Sequence, residues 1–463
     1  MKMRTLVAIL PPLALAGCSL APRTDLPPPP VPQSWPVGDA YLMQSEAALP
    51  VISYSDIFRD PALRALVELA LANNRDLRVA AANVAAARAQ ARATRAELFP
   101  EITVGGSVEH TDRSGAEPET SYAVSGGVSS FELDLFGKLA NASEAERNRA
   151  LATEAAARAV RLGLVADLVN AWAGYAADRD LLIIAEETAA NARDSVRLTR
   201  ARLEGGVAPR TDLRQAEQIL ASAEGDIARQ KTALAQDENL VRLLVGSEFD
   251  TKLLPTDMGQ VVGNTEVLPA GTNSQVLLRR PDIVQAEYLL RAANADIGAA
   301  RAALFPSISL TGLLGFASDA LATLFDSAAF SKTIGGAASL AIFDGGKRSA
   351  NIVAAQADRD AALANYEGAI QNAFREVADA LADQGTVGDR LKAAQAYREA
   401  AADNAMLADA RYRGGVDSYL ANLDAQRSLF AARQAEVAVQ LEMVRNRVTL
   451  YRVLGGDQAS PAN

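Results

Sequence analysis

Two long stretches of the chain repeat apolar residues with the period of an α-helix. Lys138–Glu204 contains no proline, so a helix could run through all of it and would be about 100 Å long at about 1.5 Å per residue. Apolar residues in this stretch are spaced three and four positions apart, which is typical of helices that pack side by side. They are Val165, Leu168, Trp172 and Tyr175. In a second stretch, Lys347–Arg413, the corresponding residues are Leu363, Tyr366, Ile370 and Val377.

A pair of glycines ends each long helix, Gly205-Gly206 in the first and Gly414-Gly415 in the second. Helical periodicity then returns in residues 212–245 and 418–453, so each region is predicted to be an antiparallel helical hairpin. Shorter helices are predicted from Pro61, which follows the N-cap residue Asp60, and in residues 76–98 and 282–304.

Four stretches alternate apolar residues with polar or small ones, as β-strands with one apolar face do. The apolar residues are Ile102, Val104 and Val108; Tyr122, Val124 and Val128; Ile308, Leu310, Leu314 and Phe316; and Ile334, Leu340 and Ile342. Each stretch has about 9–12 residues, the length that a tilted strand needs to cross a bilayer. The alternation changes phase near Ser129-Ser130, which predicts a β-bulge there.

The second half of the chain repeats the first. Leu98-Phe99-Pro100 returns as Leu304-Phe305-Pro306. Gly137, Gly205 and Gly246 return as Gly346, Gly414 and Gly455, each 209 residues after its counterpart. One supersecondary unit is therefore used twice, and the two copies are joined by a connecting segment rich in proline and glycine at residues 247–281.

The N-terminus carries an export signal. Lys2 and Arg4 precede an apolar run, and Leu15-Ala16-Gly17-Cys18 follows it. This ending resembles the lipobox of bacterial lipoproteins, which implies cleavage before Cys18 and attachment of lipid, palmitate included, to that cysteine. The alternative is an ordinary signal with a chance cysteine. Residues 18–60 are proline-rich near their start and predict an extended segment that leads away from the anchor.

Composition excludes several classes of function. The chain has 463 residues, a net charge of −10, and aromatic residues make up only 5% of it. The negative charge disfavours nucleic acid as a partner, and one His and one Cys exclude zinc sites and a disulfide framework. No cofactor or metal is expected, and an enzyme is not expected either.

Two features that hint at enzyme chemistry have simpler interpretations. His110 lies beside a predicted external loop and is best explained as a solvated residue. Asp344-Gly345-Gly346-Lys347 suggests a phosphate-binding loop, but Ala341 stands where the first glycine belongs and Arg348 replaces Ser or Thr. We interpret it as a strand-to-helix turn.

Four strands cannot close a barrel, and an open sheet edge cannot exist in lipid. The chain must therefore share a barrel with other copies if its strands cross a membrane. Two copies would give eight strands, which pack shut, whereas three give twelve. Two alternatives stay open on these grounds alone: a small soluble sheet, and a lipid-anchored periplasmic coiled-coil scaffold without a pore.

Seven motifs together resemble the outer-membrane efflux factors of Gram-negative bacteria, of the TolC/OprM type, and within them the NodT-like lipoproteins. They are FRDPAL at 58–63, NNRDL at 73–77, FELDLFGK at 131–138, RRPDI at 279–283, FDGGK at 343–347, YRGGVDSYL at 412–420 and LDAQR at 423–427.

The resemblance implies an internally duplicated α+β membrane protein, a homotrimer with a twelve-stranded β-barrel continuous with a periplasmic α-helical barrel. It also implies a passive exit duct for drugs or other small toxic compounds in the outer membrane. The implied partners are a periplasmic adaptor and an inner-membrane pump of the resistance–nodulation–division type. A duct for one-step (type I) protein secretion is the remaining alternative.

Ten segments follow from these observations. They are a signal peptide (1–17), a lipid-anchored proline-rich segment (18–60), an equatorial helix with the first barrel helix (61–98), a first β-hairpin (99–136), a long helical hairpin (137–246), an equatorial linker (247–281), a barrel helix (282–305), a second β-hairpin (306–345), a second long helical hairpin (346–455) and a C-terminal tail (456–463).

The family resemblance also places a gate at the periplasmic end. It assigns the constriction to Leu420, Asp424 and Arg427, with a closing contact at Tyr412. The tips at Gly205, Gly206, Gly414 and Gly415 would contact the adaptor.

Spacing is compatible with this assignment, because Leu420, Asp424 and Arg427 can share one helical face. Threefold symmetry would then make Asp424 a ring of carboxylates that favours cations. The alternative is an ordinary surface ion pair between Asp424 and Arg427. At the positions equivalent to 424–426 the first hairpin has Gln215-Ala216-Glu217, so the two halves differ, and Asp212 is one candidate partner for an arginine.

Overall fold

The structure, a computed structural model, describes residues 20–22, 30, 53–115, 117–266 and 274–456. The predicted signal peptide, Cys18 and most of the proline-rich segment lie outside the described residues, as do residues 267–273 of the linker and 457–463 of the tail.

The α-helices are α1 Tyr54–Ile57, α2 Pro61–Asn73, α3 Arg75–Ala96, α4 Lys138–Glu204, α5 Arg210–Val245, α6 Met258–Gly263, α7 Pro281–Ala302, α8 Lys347–Arg413 and α9 Tyr419–Val453. The strands are β1 Thr103–Thr111, β2 Glu119–Glu132, β3 Ser307–Ser318 and β4 Phe330–Ser339. Short 3-10 turns lie at Thr251–Leu253, Ser274–Arg279, Leu321–Thr323 and Ser327–Ala329. Both long helices have the bounds that the sequence predicts, 67 residues each.

The chain divides into two compact units. The first contains residues 83–154 and 285–366 together with residues 20–22, and it holds the sheet. The second contains residues 53–82, 155–284 and 367–456, and it holds the helical hairpin turns. No helix in the part of the chain that the structure describes has an apolar stretch long enough to cross a membrane.

The sheet of the first unit is antiparallel, with the order β1-β2-β3-β4. Its pairing shifts between Val128 and Phe131, which confirms the predicted bulge. One face carries Val104, Val124, Leu314, Phe316 and Ile334, and the other carries mainly serine, threonine, glycine and alanine. A sheet with one apolar face and one face of small and polar side chains suits a boundary between lipid and water.

The end of β4 corrects the sequence prediction. The alternation placed Leu340 and Ile342 in the strand, but β4 ends at Ser339. The reason is the turn that follows. The side chain of Arg348 forms an ion pair with Asp344 at 2.6 Å and donates a hydrogen bond to the carbonyl of Ala341. The FDGGK motif is thus a strand-to-helix turn, as predicted.

In the same unit, residues 20–22 lie along α7. Asn294 donates a hydrogen bond to the carbonyl of Pro22 at 2.6 Å, and Arg301 donates one to the carbonyl of Leu20 at 3.1 Å. The chain is therefore fastened to α7 two residues after Cys18.

In the second unit, polar side chains tie the ends of the short helices to the long hairpins. Asp60 caps α2, as predicted. Asn74 accepts hydrogen bonds from the backbone of Asp76 and Leu77, and it donates one to the carbonyl of Leu244 at 2.8 Å. Trp172, buried in α4, donates to the carbonyl of Leu253 at 2.9 Å. These bonds fix α2 and the connecting segment against the helices.

Gly246, which ends α5, provides a test of this junction. Its φ of 73° is left-handed, and an added Cβ would lie 2.7 Å from the carbonyl oxygen of Asn73. We expect Gly246→Ala to lower the apparent melting temperature by about 4 °C or more, measured by circular dichroism in detergent. The control is Gly225→Ala in the same helix, where a Cβ meets open space, and it should not lower the melting temperature. Equal melting temperatures for the two variants would contradict this picture of the junction.

Candidate gate at the helical hairpin turns

The two hairpin turns have the same backbone structure. In each, the second glycine is left-handed, with φ of 72° at Gly206 and 75° at Gly415. The amide of the following valine donates to the carbonyl of an arginine five residues earlier, at 2.9 Å in both turns. These are the bonds of a Schellman-type helix end. Both valines, Val207 and Val416, are exposed at the tips.

The structure brings the two turns of one chain together over a shared apolar cluster. Tyr412 and Tyr419 of the second hairpin are buried against the first, and their rings meet edge to face with centroids 5.3 Å apart. The other buried members of the cluster are Val196, Leu213, Ala216 and Leu423. The second hairpin is therefore packed against the first just below the tips.

The three predicted constriction residues lie on one exposed face of α9. Leu420, Asp424 and Arg427 are all exposed, whereas Leu423 and Ala425 between them are buried. Asp424 and Arg427 do not form an ion pair with each other in the described chain, so the ordinary surface pair is not what occupies this face. An exposed leucine at 53% and two free charges suit a surface that faces neighbours or a channel.

Tyr412 takes a different place from the one its predicted role suggests. It is only 3% exposed and belongs to the apolar cluster beneath the exposed face. Burial raises the pKa of Tyr412, and it raises the pKa of Tyr419 to about 12 with a further contribution from Tyr412. Both tyrosines are therefore neutral at physiological pH, and any contact they make is that of a phenol.

Sequence reasoning missed Arg202, which joins the two hairpins. Its guanidinium carbon lies 4.5 Å from the centroid of the Tyr412 ring. Its Nη2 atom also donates hydrogen bonds to the carbonyls of Tyr412 and Arg413, both at 3.1 Å. The repeat contained a signal for this: Arg202 is the counterpart of Arg411, but Ala208 stands where the second copy has Asp417.

Asp212, a candidate partner for an arginine, forms no such ion pair within the described residues. It lies close enough to Tyr412 and Tyr419 to raise their pKa values further. Glu217, which aligns with Gln426, is instead the carboxylate that arginines approach, with Arg214 at 2.6 Å and Arg200 at 3.5 Å.

A cleft of about 270 Å³ lies between α4, α5 and α9, next to the exposed face of α9. Its walls mix apolar side chains with amides and charges. They include Asn191, Gln218, Asp226, Arg427, Phe430 and Arg433. Arg433 is held by Glu187 at 2.6 Å, so one of its two arginines is already neutralised.

A pair of carboxyl groups lies elsewhere in the same unit, where Asp237 of α5 faces Asp178 of α4. Burial, and then the Asp178 carboxylate, raise the pKa of Asp237 to about 7, and Arg445 of α9 opposes the shift. Two carboxyl groups in contact favour one shared proton. The contact between α4 and α5 is therefore sensitive to pH.

Comparisons with known proteins agree with these observations. The family model described as outer membrane efflux protein matches residues 66–247 and again residues 273–456, once in each repeat. Over 466 residues the chain is 39% identical to the probable efflux pump outer membrane protein TtgC of Pseudomonas putida, covering 97% of this chain and 95% of that one. Over 445 residues it is 40% identical to the cation efflux system protein CusC of Escherichia coli K12, covering 96% and 97%.

The fold is also that of a solved channel. The open state of the Neisseria gonorrhoeae MtrE outer membrane channel matches with a TM-score of 0.85 and 32% identity, covering 95% of this chain and 98% of that one. Four strands beside two long helical hairpins thus define a subunit of an outer-membrane channel, which confirms the predicted fold class. The chain belongs to the outer membrane efflux protein family, and it acts as an efflux channel in the outer membrane.

The carboxyl pair gives a prediction with a definite sign. The pKa of Asp237 is raised from 3.8 to about 7 in the folded chain, so the folded state holds a proton that the unfolded state releases. Stability should therefore fall as pH rises from about 4 to 7 and level off above that. In Asp237→Asn this loss is absent, and at pH 8 the variant should melt about 2 °C or more above the wild type.

The measurement is thermal denaturation in detergent between pH 4.5 and 8.5. Asp194→Asn is the control, because Asp194 forms an exposed pair with Arg197 on the same long helix as Asp178. This variant should follow the wild-type profile. Parallel profiles for wild type and Asp237→Asn would show that the two carboxyl groups do not share a proton.

Proposed function

We propose that three copies of this chain form one duct, with a twelve-stranded barrel to which each chain gives β1 to β4. The observation that carries the proposal is the open sheet. Among the described residues, β1 has a partner strand only in β2, and β4 has one only in β3. Each outer strand therefore leaves one edge of N–H and C=O groups without a strand to pair with, which lipid does not tolerate.

The side chains of the outer strands support the same assembly. Val104 of β1 is 81% exposed and Ile334 of β4 is 88% exposed, both on the apolar face of the sheet. Such exposure of large apolar residues is explained if lipid covers this face and neighbouring copies cover the edges. Three copies are favoured over two because eight strands fill their own interior.

The opposite face would line the lumen. Its serines, threonines and glycines offer water a polar wall without bulky groups, which suits passive passage of varied small molecules. We propose drugs or other small toxic compounds as cargo. TtgC is named for an efflux pump and CusC for a cation efflux system, so relatives of similar identity carry different names for their cargo.

We propose that the duct works in a tripartite pump, with a periplasmic adaptor and an inner-membrane pump of the resistance–nodulation–division type. The exposed hairpin tips at Gly205-Gly206 and Gly414-Gly415 are the proposed adaptor contact, because they present two similar turns side by side. The ten segments predicted from the sequence, from the signal peptide to the C-terminal tail, describe this arrangement.

Cys18 is the proposed lipid attachment site. Leu20 and Pro22, just beyond it, are bonded to α7, which leads directly into β3. An anchor at Cys18 would thus be held near the start of a membrane strand.

The gate is proposed to be the exposed face of α9. Leu420 narrows the opening, the Asp424 ring favours cations, and Arg427 either balances that ring or reaches a neighbouring copy. Because both charges are exposed and do not pair with each other, they are available for contacts across the threefold axis. Tyr412 supports this face from below rather than forming part of it.

The shared barrel can be tested by disulfide formation between strand edges. Ile334→Cys in β4 would be combined, one at a time, with cysteine at Val104, Gly106 or Val108 in β1, all on the same face of the sheet. At least one pair should give covalent dimers and trimers on a non-reducing gel, and nothing larger.

Val124→Cys with Ile334→Cys is the matched control, since β2 is paired on both edges within one chain. It should remain monomeric on the gel. A ladder beyond three copies, or no product from any β1 position, would contradict the proposed barrel.

The gate can be tested by conductance. Replacing both Asp424 and Arg427 by Ala removes the charged ring and its counter-charge, and single-channel conductance in planar bilayers should rise by roughly two-fold or more. Asp389→Ala with Lys392→Ala removes another exposed pair of opposite charges three residues apart, and conductance should not change. If the gate variant conducts like the wild type, the constriction lies elsewhere.

A further inference from the structure

Arg202 makes a bridge between the two hairpins that is charged, aromatic and bonded to backbone. It projects from the last turn of α4 in the first hairpin. Its Nη2 atom reaches the carbonyls of Tyr412 and Arg413, which are the last residues of α8. Those carbonyls form the negative end of the α8 dipole, where a cation is stabilised. One arginine thus caps the end of a helix that belongs to the other hairpin.

The same guanidinium lies over the face of the Tyr412 ring, with 4.5 Å between its carbon and the ring centroid. Tyr419 closes the ring from its edge. Tyr412 is therefore held between an aromatic neighbour in its own hairpin and a cation from the first hairpin. Planar stacking together with two carbonyl acceptors is a combination that suits arginine better than lysine.

The corresponding arginine of the second hairpin does something different. Arg411 pairs with Asp417 of its own turn, with oxygen distances of 2.5 and 3.0 Å. Position 208, which corresponds to 417, is alanine. The first turn therefore has no acid to hold Arg202 locally, and its guanidinium is free to cross to α8. A single difference between the two repeats explains the bridge.

The bridge lies directly beneath the proposed gate. Tyr419 precedes Leu420, and Leu423 precedes Asp424, so the buried residues of the cluster alternate with the exposed residues of the gate on α9. A movement of that exposed face relative to the first hairpin would have to pull Tyr412 and Tyr419 away from their packing. Arg202 opposes this movement, because it is bonded to the end of α8 as well as to the ring.

We propose that Arg202 is a positioning residue that fastens the second hairpin to the first and holds the duct closed at rest. It acts through Tyr412 and the end of α8, not by contact with cargo. This inference rests on the proposed gate at Leu420, Asp424 and Arg427, and it adds a contact within one chain to the contacts between copies.

The experiment compares two variants that release the bridge in different ways. Arg202→Gln removes the charge and the stacking. Ala208→Asp keeps Arg202 but gives the first turn the acid that the second turn has, so the guanidinium should pair locally and leave Tyr412. In planar bilayers, both should open about five-fold more often than the wild type. Arg197→Gln is the control, since Arg197 on the same helix forms only an exposed pair with Asp194, and it should gate like the wild type.

Hydrogen exchange supplies a readout that does not depend on gating. Amides of residues 408–418 should exchange faster in Arg202→Gln and Ala208→Asp than in the wild type or Arg197→Gln, measured by mass spectrometry on intact assembled protein. Equal yields of assembled protein would show that the variants fold. Faster exchange together with more frequent opening supports the inference. Unchanged opening in either variant, or unchanged exchange, overturns it.

The failure of this inference is distinguishable from failure of the gate. The Asp424 and Arg427 double variant is recorded in the same bilayers. If it raises conductance while Arg202→Gln and Ala208→Asp do not, the gate stands and the role of Arg202 is wrong. If none of the three variants changes the channel while exchange still rises, Arg202 bridges the hairpins but the bridge does not hold the duct closed.

Discussion

The unsatisfied backbone of β1 and β4 is the constraint on which the rest of the structure depends. A strand edge in water can be solvated, but an edge in hydrocarbon needs another strand, and the chain supplies only four strands in a row. Closure must come from other copies. The same requirement explains why the apolar face is so exposed in a single chain, and why small side chains occupy the other face, which would otherwise fill the lumen.

Duplication gives the chain two similar hairpins, and the functional detail lies where the copies have diverged. The backbone of the two turns is the same, bond for bond, from the arginine to the valine. The side chains are not. Asp417 against Ala208 decides whether an arginine stays in its own turn, and Asp424 against Gln215 decides which hairpin presents a charge. An asymmetric tip allows one hairpin to serve as a frame against which the other moves.

Much of the fold follows from the sequence for simple physical reasons. The bounds of α4 and α8 are predictable because proline is absent inside them and a Gly-Gly pair follows them. The bulge in β2 is visible as a change of phase near Ser129. The end of β4 is not, because the side chain of Arg348 takes the carbonyl of Ala341, and alternation carries no information about that.

The site was less predictable, because its contacts join helices far apart in sequence. The exposed face of Leu420, Asp424 and Arg427 follows from helical spacing. The burial of Tyr412, the bridge from Arg202 and the pairing of Asp178 with Asp237 depend on how hairpins pack, and a one-dimensional pattern does not contain this. The comparison of Arg202 with Arg411 in the repeat would have been the one available signal.

The central claim is that this chain is an incomplete channel that becomes complete as a trimer. Native mass spectrometry of the processed, full-length protein extracted from the outer membrane in mild detergent tests it directly. The account predicts a single dominant species with the mass of three lipidated chains. A stable species with the mass of one chain, whose strand amides are all protected from hydrogen exchange, would contradict it.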